Sequence, residues 1–202
     1  MTDMAGKAAS TSNLVVVTGF GPYRNYIVNS SWEAVKEFSK LGLDKNVELK
    51  VMEFPVKYSE VEKKVRHIWT ELKPQLSVHV GMVSSAKAIT LEQCARNKGY
   101  MEKDLSGALP QGGCCLLGGP ERIESVVNIK SVCKNIAQPE IDVIRSCDAG
   151  RYLCEYTYYI SLHYGERKAV FIHVPSLKRT ITAAKLAHVL RLIIKEVMSQ
   201  IG

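Results

Sequence analysis

Hydrophobic positions along this chain switch repeatedly between two spacings. Leu14 to Thr18 (LVVVT) is a continuous apolar run emptying into Gly19-Phe20-Gly21-Pro22-Tyr23, as expected of a buried strand in a parallel core. Ser30 to Lys40 moves to helical spacing: Trp32, Val35, Phe38 and Leu41 form one apolar stripe, behind Ser30 and Glu33 at capping-box spacing. Val47 to Phe54 returns to alternation and stops at Pro55, which predicts a strand. A second capping pair, Ser59 and Glu62, opens a helix with Val61, Val65, Ile68, Trp69 and Leu72 inward. Leu76 to Met82 reads as a third strand, and Ala88 to Cys94 as another extended segment.

The second half begins with an irregular, Gly-rich stretch from Asn97 to Gly119, expected as a long surface loop. Glu121 to Ala137 then carries Ile123, Val126, Val127, Ile129, Val132 and Ile136, which predicts an amphipathic helix. Ile141 to Ser146, Tyr152 to His163 and Lys168 to Val174 read as strand, helix and strand, a β–α–β unit closed by Pro175. Ile181 to Ile201 packs as a closing helix. This alternation predicts an α/β fold, a three-layer α/β/α sandwich around a mainly parallel sheet. The extended segment at Glu92 allows that sheet to be mixed.

Composition narrows the class. With 202 residues, 46% of them hydrophobic, the chain can bury one sizeable core. A single domain over residues 14–202 is expected, behind a flexible tail over residues 1–13. The net charge of +7 is scattered among acids with no run of five or six bases, so no nucleic-acid partner is expected. No stretch approaches a membrane span, and the polar start lacks the apolar core of a secretory signal. The six cysteines form no C-x-x-C pair, so neither a metal site nor a redox motif is expected. Free thiols in a reducing cytoplasm follow.

Candidate chemistry centres on Cys154 and His173. The helix from Cys154 to His163 descends about 14 Å at 1.5 Å per residue. The strand from Lys168 to His173 climbs back about 17 Å. His173 therefore returns to the level of Cys154, at the sheet edge where open α/β folds hold their sites. A cysteine in a first helical turn beside an imidazole is an activated nucleophile. Both residue types are also common in cores, and the matched path lengths are what favour a site. His79, in mid-strand, reads as a core histidine. Glu92 stands in apolar company and needs a partner. From the residues alone Asp148, Glu155 and Glu166 compete with it as the third group. Composition favours a packing role for the GFGPY loop.

Five segments, VVVTGFGPY, VNSSW, TLEQCARNKGY, DAGRYLCEYTYY and FIHVPSL, together resemble the pyroglutamyl-peptidase I family (pyrrolidone-carboxylate peptidases), especially its animal forms. The likeness runs from about Leu14 to the closing helix. It implies a phosphorylase/hydrolase-like fold and a cytoplasmic cysteine peptidase. This enzyme would remove N-terminal pyroglutamyl residues from peptides without metal or cofactor, and animal forms imply a monomer. Carried over by residue, the resemblance implies nucleophile Cys154, histidine His173 and acid Glu92. Ring-binding residues would be Phe20 and Tyr23, with Tyr152 and Leu153 beside the nucleophile, and Asn29 bracing the loop. Bacterial members have phenylalanine where Tyr23 stands, which bears on pocket polarity. They also have Gly-Gly-Arg where this chain has Ser84-Ser85-Ala86, which bears on the charge around an oxyanion. The contrasting class is a catalytically silent relative that binds peptide ends or protein partners; it would lack a triad residue, and none is missing here.

Overall fold

The computed structural model describes residues 12–136 and 140–201, so the tail expected over residues 1–13 lies outside the described residues up to residue 11. Strand β1 (Leu14–Phe20) is buried along its whole length. It pairs in parallel with β2 (Glu48–Phe54) on one side and β3 (Leu76–Met82) on the other. Full burial of Val15, Val16 and Val17 stabilises the fold by roughly 1.5–3 kcal/mol per side chain. β3 pairs in parallel with β8 (Ala169–Val174), which pairs antiparallel with β4 (Ile89–Glu92). β4 pairs in parallel with the edge strand β7 (Val143–Ser146). The order is β2-β1-β3-β8-β4-β7, a mixed six-stranded sheet.

Helices cover both faces. On one, α1 (Ser30–Leu41), α3 (Ile129–Asn135) and α5 (Ala183–Met198) bury Phe38, Val132, Leu190 and Ile194 against Val15, Val78 and Ile172. On the other, α2 (Tyr58–His67) and α4 (Leu153–Tyr164) bury Val61, Val65 and Tyr159 against Val16, Phe54 and Phe171. α2 continues as a π-helical turn over Ile68–Leu72. Close packing of α1 on β1 requires glycine at position 19, where a Cβ would lie 2.8 Å from the Trp32 Cα. No helix among the described residues is long and apolar enough to cross a membrane.

Several expectations are corrected. Glu121 to Ala137 is not one helix: β6 (Arg122–Glu124) pairs antiparallel with β5 (Cys94–Arg96), and α3 begins only at Ile129, while Ala137 falls outside the described residues. The long-range pairing to β5 overrides the local apolar spacing, and Val126 is left exposed. The β7–α4–β8 segment is not a parallel β–α–β unit, because β7 runs with β4 and β4 runs against β8. Capping also differs. Asn29, not Ser30, caps α1 by accepting the Ser31 N–H at 3.1 Å. No side chain at the start of α2 caps it; Asp104 reaches across from the Gly-rich segment to accept the Tyr58 N–H at 2.9 Å. Leu41 is solvent-exposed rather than part of the α1 stripe. The Asn97–Gly119 stretch is irregular as expected, with one short 3₁₀ turn, but it buries Tyr100, Cys114 and Cys115.

Candidate active site

The carboxyl ends of β1, β3 and β8 lie side by side, and the start of α4 packs over them. His173 is the second-last residue of β8, opposite Gly81 of β3 and Thr90 of β4. Cys154, the second residue of α4, rests on Gly81. A Cβ there would lie 2.7 Å from the Cys154 Sγ and 2.9 Å from the Phe171 ring. Glycine at position 81 is therefore what lets the thiol settle against the sheet beside His173.

Glu92 closes β4 and turns back to His173. The His173 Nδ1–H donates to Glu92 Oε1 at 3.0 Å, and both side chains are buried. This bond selects the tautomer that leaves Nε2 for the thiol side. The Glu92 carbonyl accepts from the Tyr158 hydroxyl at 2.9 Å, which ties the end of β4 to α4. Burial lowers the His173 pKa, but hydrogen bonding and charge interaction with Cys154, then with Glu92, outweigh it and raise the value to about 9. The net direction favours the charged form of the ring.

The competing carboxylates lie elsewhere. Glu155 accepts from Arg151 Nη1 at 2.5 Å and from the Arg96 N–H at 3.2 Å, and burial pushes its pKa up to about 7. Asp148 pairs with Arg151 and Arg96, and Glu166 is exposed beside Lys168. Of the four, Glu92 is the one that meets His173. His79 is a core residue as expected, held by hydroxyls and pushed down to about 3 by burial.

Beside Cys154 opens a small, mostly apolar cleft. Phe20, Tyr23, Asn29, Tyr152 and Leu153 all line it, together with Cys154. Asn29 braces the GFGPY loop: its Nδ2 donates to the Gly21 carbonyl at 2.9 Å, and its Oδ1 accepts from the Ser31 hydroxyl at 2.8 Å. Ser31 Oγ in turn accepts the Phe20 N–H at 3.0 Å. Val56 and Met82 complete the lining and were not expected. Each sits at or just beyond the carboxyl end of a parallel strand, and that position was the signal available for finding them. Ser84-Ser85-Ala86 forms a turn closed by the Ala86 N–H on the Val83 carbonyl at 3.0 Å. This turn carries no charged side chain.

The arrangement has the parts of nucleophilic acyl transfer: a thiol on a helix start, a buried imidazole, a carboxylate orienting it and an apolar cleft alongside. The profile of the family described as pyroglutamyl peptidase matches residues 13–199. Pyroglutamyl-peptidase 1 of Mus musculus is 45% identical over 186 residues, 91% of this chain and 89% of its own. Pyroglutamyl-peptidase 1-like protein of Homo sapiens is 49% identical over 168 residues, 82% of this chain and 86% of its own. In fold, the chain is similar to the pyrrolidone carboxyl peptidase of Fervidobacterium islandicum, with a TM-score of 0.82 and 24% identity over 92% of this chain and 98% of that one.

Proposed function

The chain belongs to the pyroglutamyl peptidase family of cysteine peptidases, and we propose that Cys154, His173 and Glu92 carry its hydrolysis of N-terminal pyroglutamyl residues. The observation that supports this most is the meeting of Cys154 on α4 with the buried His173–Glu92 pair over Gly81.

The reaction runs in two halves. With its proton passed to His173, the Cys154 sulfur attacks the pyroglutamyl carbonyl, and the oxygen gains charge near the first N–H groups of α4, which have no partner within the helix. His173, held as the imidazolium, gives its proton to the departing amine as the C–N bond breaks, leaving a thioester on Cys154. The neutral ring then takes a proton from water, which attacks the thioester and releases pyroglutamate. Glu92 holds the ring's orientation throughout, and fixes its tautomer when the ring is neutral.

Phe20, Tyr23, Asn29, Tyr152 and Leu153 are proposed to receive the lactam. Pyroglutamate is flat and lacks a charged α-amine, which suits a cleft of aromatic walls. A free amino terminus would bring a charge these walls leave unpaired, so ordinary aminopeptidase activity is expected to be absent. We further propose that residues 14–202 act as one catalytic domain, a cytoplasmic monomer with peptide substrates and no nucleic-acid or membrane partner. Six free cysteines support the reducing compartment.

The test is hydrolysis of a pyroglutamyl coumarin amide beside its alanyl counterpart, under reducing conditions, with and without iodoacetamide. Pyroglutamyl cleavage abolished by iodoacetamide, with the alanyl amide untouched, is the expected result. No cleavage by folded, reduced protein would instead favour a silent relative that binds peptide ends.

A further inference from the structure

The segment from Tyr100 to Ala108 contributes nothing to the triad or to the cleft lining, yet it is bonded to three residues that line the cleft. The Tyr23 hydroxyl donates to Glu102 Oε1 at 3.1 Å, and the Tyr152 hydroxyl donates to the Lys103 carbonyl at 3.1 Å. The Leu105 N–H donates to the Val56 carbonyl at 3.2 Å. Behind them Tyr58 packs edge-on against Tyr152, with centroids 6.0 Å apart, and its hydroxyl donates to the Glu102 carbonyl at 3.0 Å. Tyr23 and Tyr152 meet each other at 5.6 Å.

The segment is also held by its own hydrogen bonds. Asp104 Oδ1 accepts from the Ser106 N–H, the Ser106 hydroxyl and the Ala108 N–H at 2.8, 2.7 and 3.0 Å. Its Oδ2 holds the first N–H of α2. The Glu102 side chain reaches the GFGPY loop at Tyr23 and also pairs with Arg24, whose guanidinium lies over the Tyr23 ring at 4.8 Å.

We propose that Glu102 is a positioning residue for the substrate cleft, latching the Tyr23–Tyr152 wall to the Tyr100–Ala108 segment so that the rings are set before substrate arrives. The proposal rests on reading this cleft as the pyroglutamyl pocket. It also says what the Tyr23 hydroxyl does: the hydroxyl is engaged by Glu102, outside the cleft, so the wall presented to the lactam stays apolar. A wall fixed in advance lowers the ordering cost of binding and leaves the chemical step alone. Its loss therefore falls on KM rather than kcat.

Glu102 is half-exposed, so its replacement spares the core. In steady-state kinetics on the pyroglutamyl coumarin amide, Glu102→Ala and Tyr23→Phe are each expected to raise KM about fivefold, the worth of one hydrogen bond, at nearly constant kcat. The double variant is expected to go no further, because both changes remove the same contact. Glu102→Gln, which keeps an acceptor oxygen, is expected to recover most of the affinity. Independently of activity, trypsin is expected to cut after Lys103 faster in Glu102→Ala than in the unaltered protein. A KM effect in Tyr23→Phe with none in Glu102→Ala would overturn the proposal, since it would place the hydroxyl on substrate. Additive effects in the double variant would overturn it, as would unchanged cleavage at Lys103. If the unaltered protein does not turn over the amide, the pocket reading fails, and the trypsin comparison alone then decides the latch.

Discussion

His79 and His173 sit on adjacent strands two register positions apart, His79 opposite Phe171 and His173 opposite Gly81. Both rings are buried. Their surroundings differ in the charge they offer. His79 meets the hydroxyls of Thr18, Ser77 and Ser161, and burial takes its pKa down to about 3. His173 meets a carboxylate on one side and a thiol on the other, and its pKa rises to about 9 despite equal burial. Burial alone makes an imidazole a neutral structural group, whereas burial beside an acid and a thiol makes it a proton donor at neutral pH.

The sharpest way to break this contrast is to remove the thiol. Cys154→Ala is expected to lower kcat for a pyroglutamyl amide by about 10⁴-fold or more, measured as coumarin release, while the fold is retained by circular dichroism. His79 supplies the next largest effect, on stability. Folding lowers its pKa below the ordinary 6.5, so the unfolded chain takes up a proton that the folded chain refuses. Its share of stability is complete above pH ~6.5 and falls as the pH drops toward about 3, by on the order of 5 kcal/mol in all. Urea unfolding at pH 4 and pH 7 should show this slope, and His79→Gln should flatten it. His173 has the opposite sign: its share is present below pH ~6.5 and lost as the pH rises through about 9.

Glu92→Gln probes the carboxylate side of His173. It leaves the ring its neighbour in space but removes the charge, and kcat is expected to fall roughly 10- to 100-fold at nearly constant KM. A change confined to KM would make Glu92 a binding group. The smallest effect is expected at Cys147, whose carbonyl accepts from the Cys94 thiol at 3.3 Å while its own side chain stays clear of the cleft. Cys147→Ser should keep activity within about twofold and stability within ~0.5 kcal/mol by urea titration.

The contrast between the two histidines was partly legible in the sequence. Mid-strand His79 read as a core residue, and path lengths alone brought His173 level with Cys154. The choice of Glu92 over Asp148, Glu155 and Glu166 was not legible from the residues, because it depends on β4 running antiparallel to β8. Apolar periodicity carries no strand direction, and the same blindness hid the reversed course of β7. The missed strand at Arg122–Glu124 has a similar cause: its register with Cys94–Arg96 spans about thirty residues, and its local pattern matches a helix equally well. Burial followed local pattern where strands are central, as in Leu14–Phe20. It departed from that pattern where a distant group intervened, as with Asp104 at the start of α2.

The proposed mechanism makes Cys154, activated by His173, the nucleophile facing the lactam cleft. Its most direct test is labelling with pyroglutamyl chloromethyl ketone followed by peptide mass mapping of all six cysteines. One label per chain is expected, on Cys154, with activity lost in proportion and labelling suppressed in His173→Ala. A label on Cys94 or Cys147, or inactivation that leaves Cys154 unmodified, would contradict it.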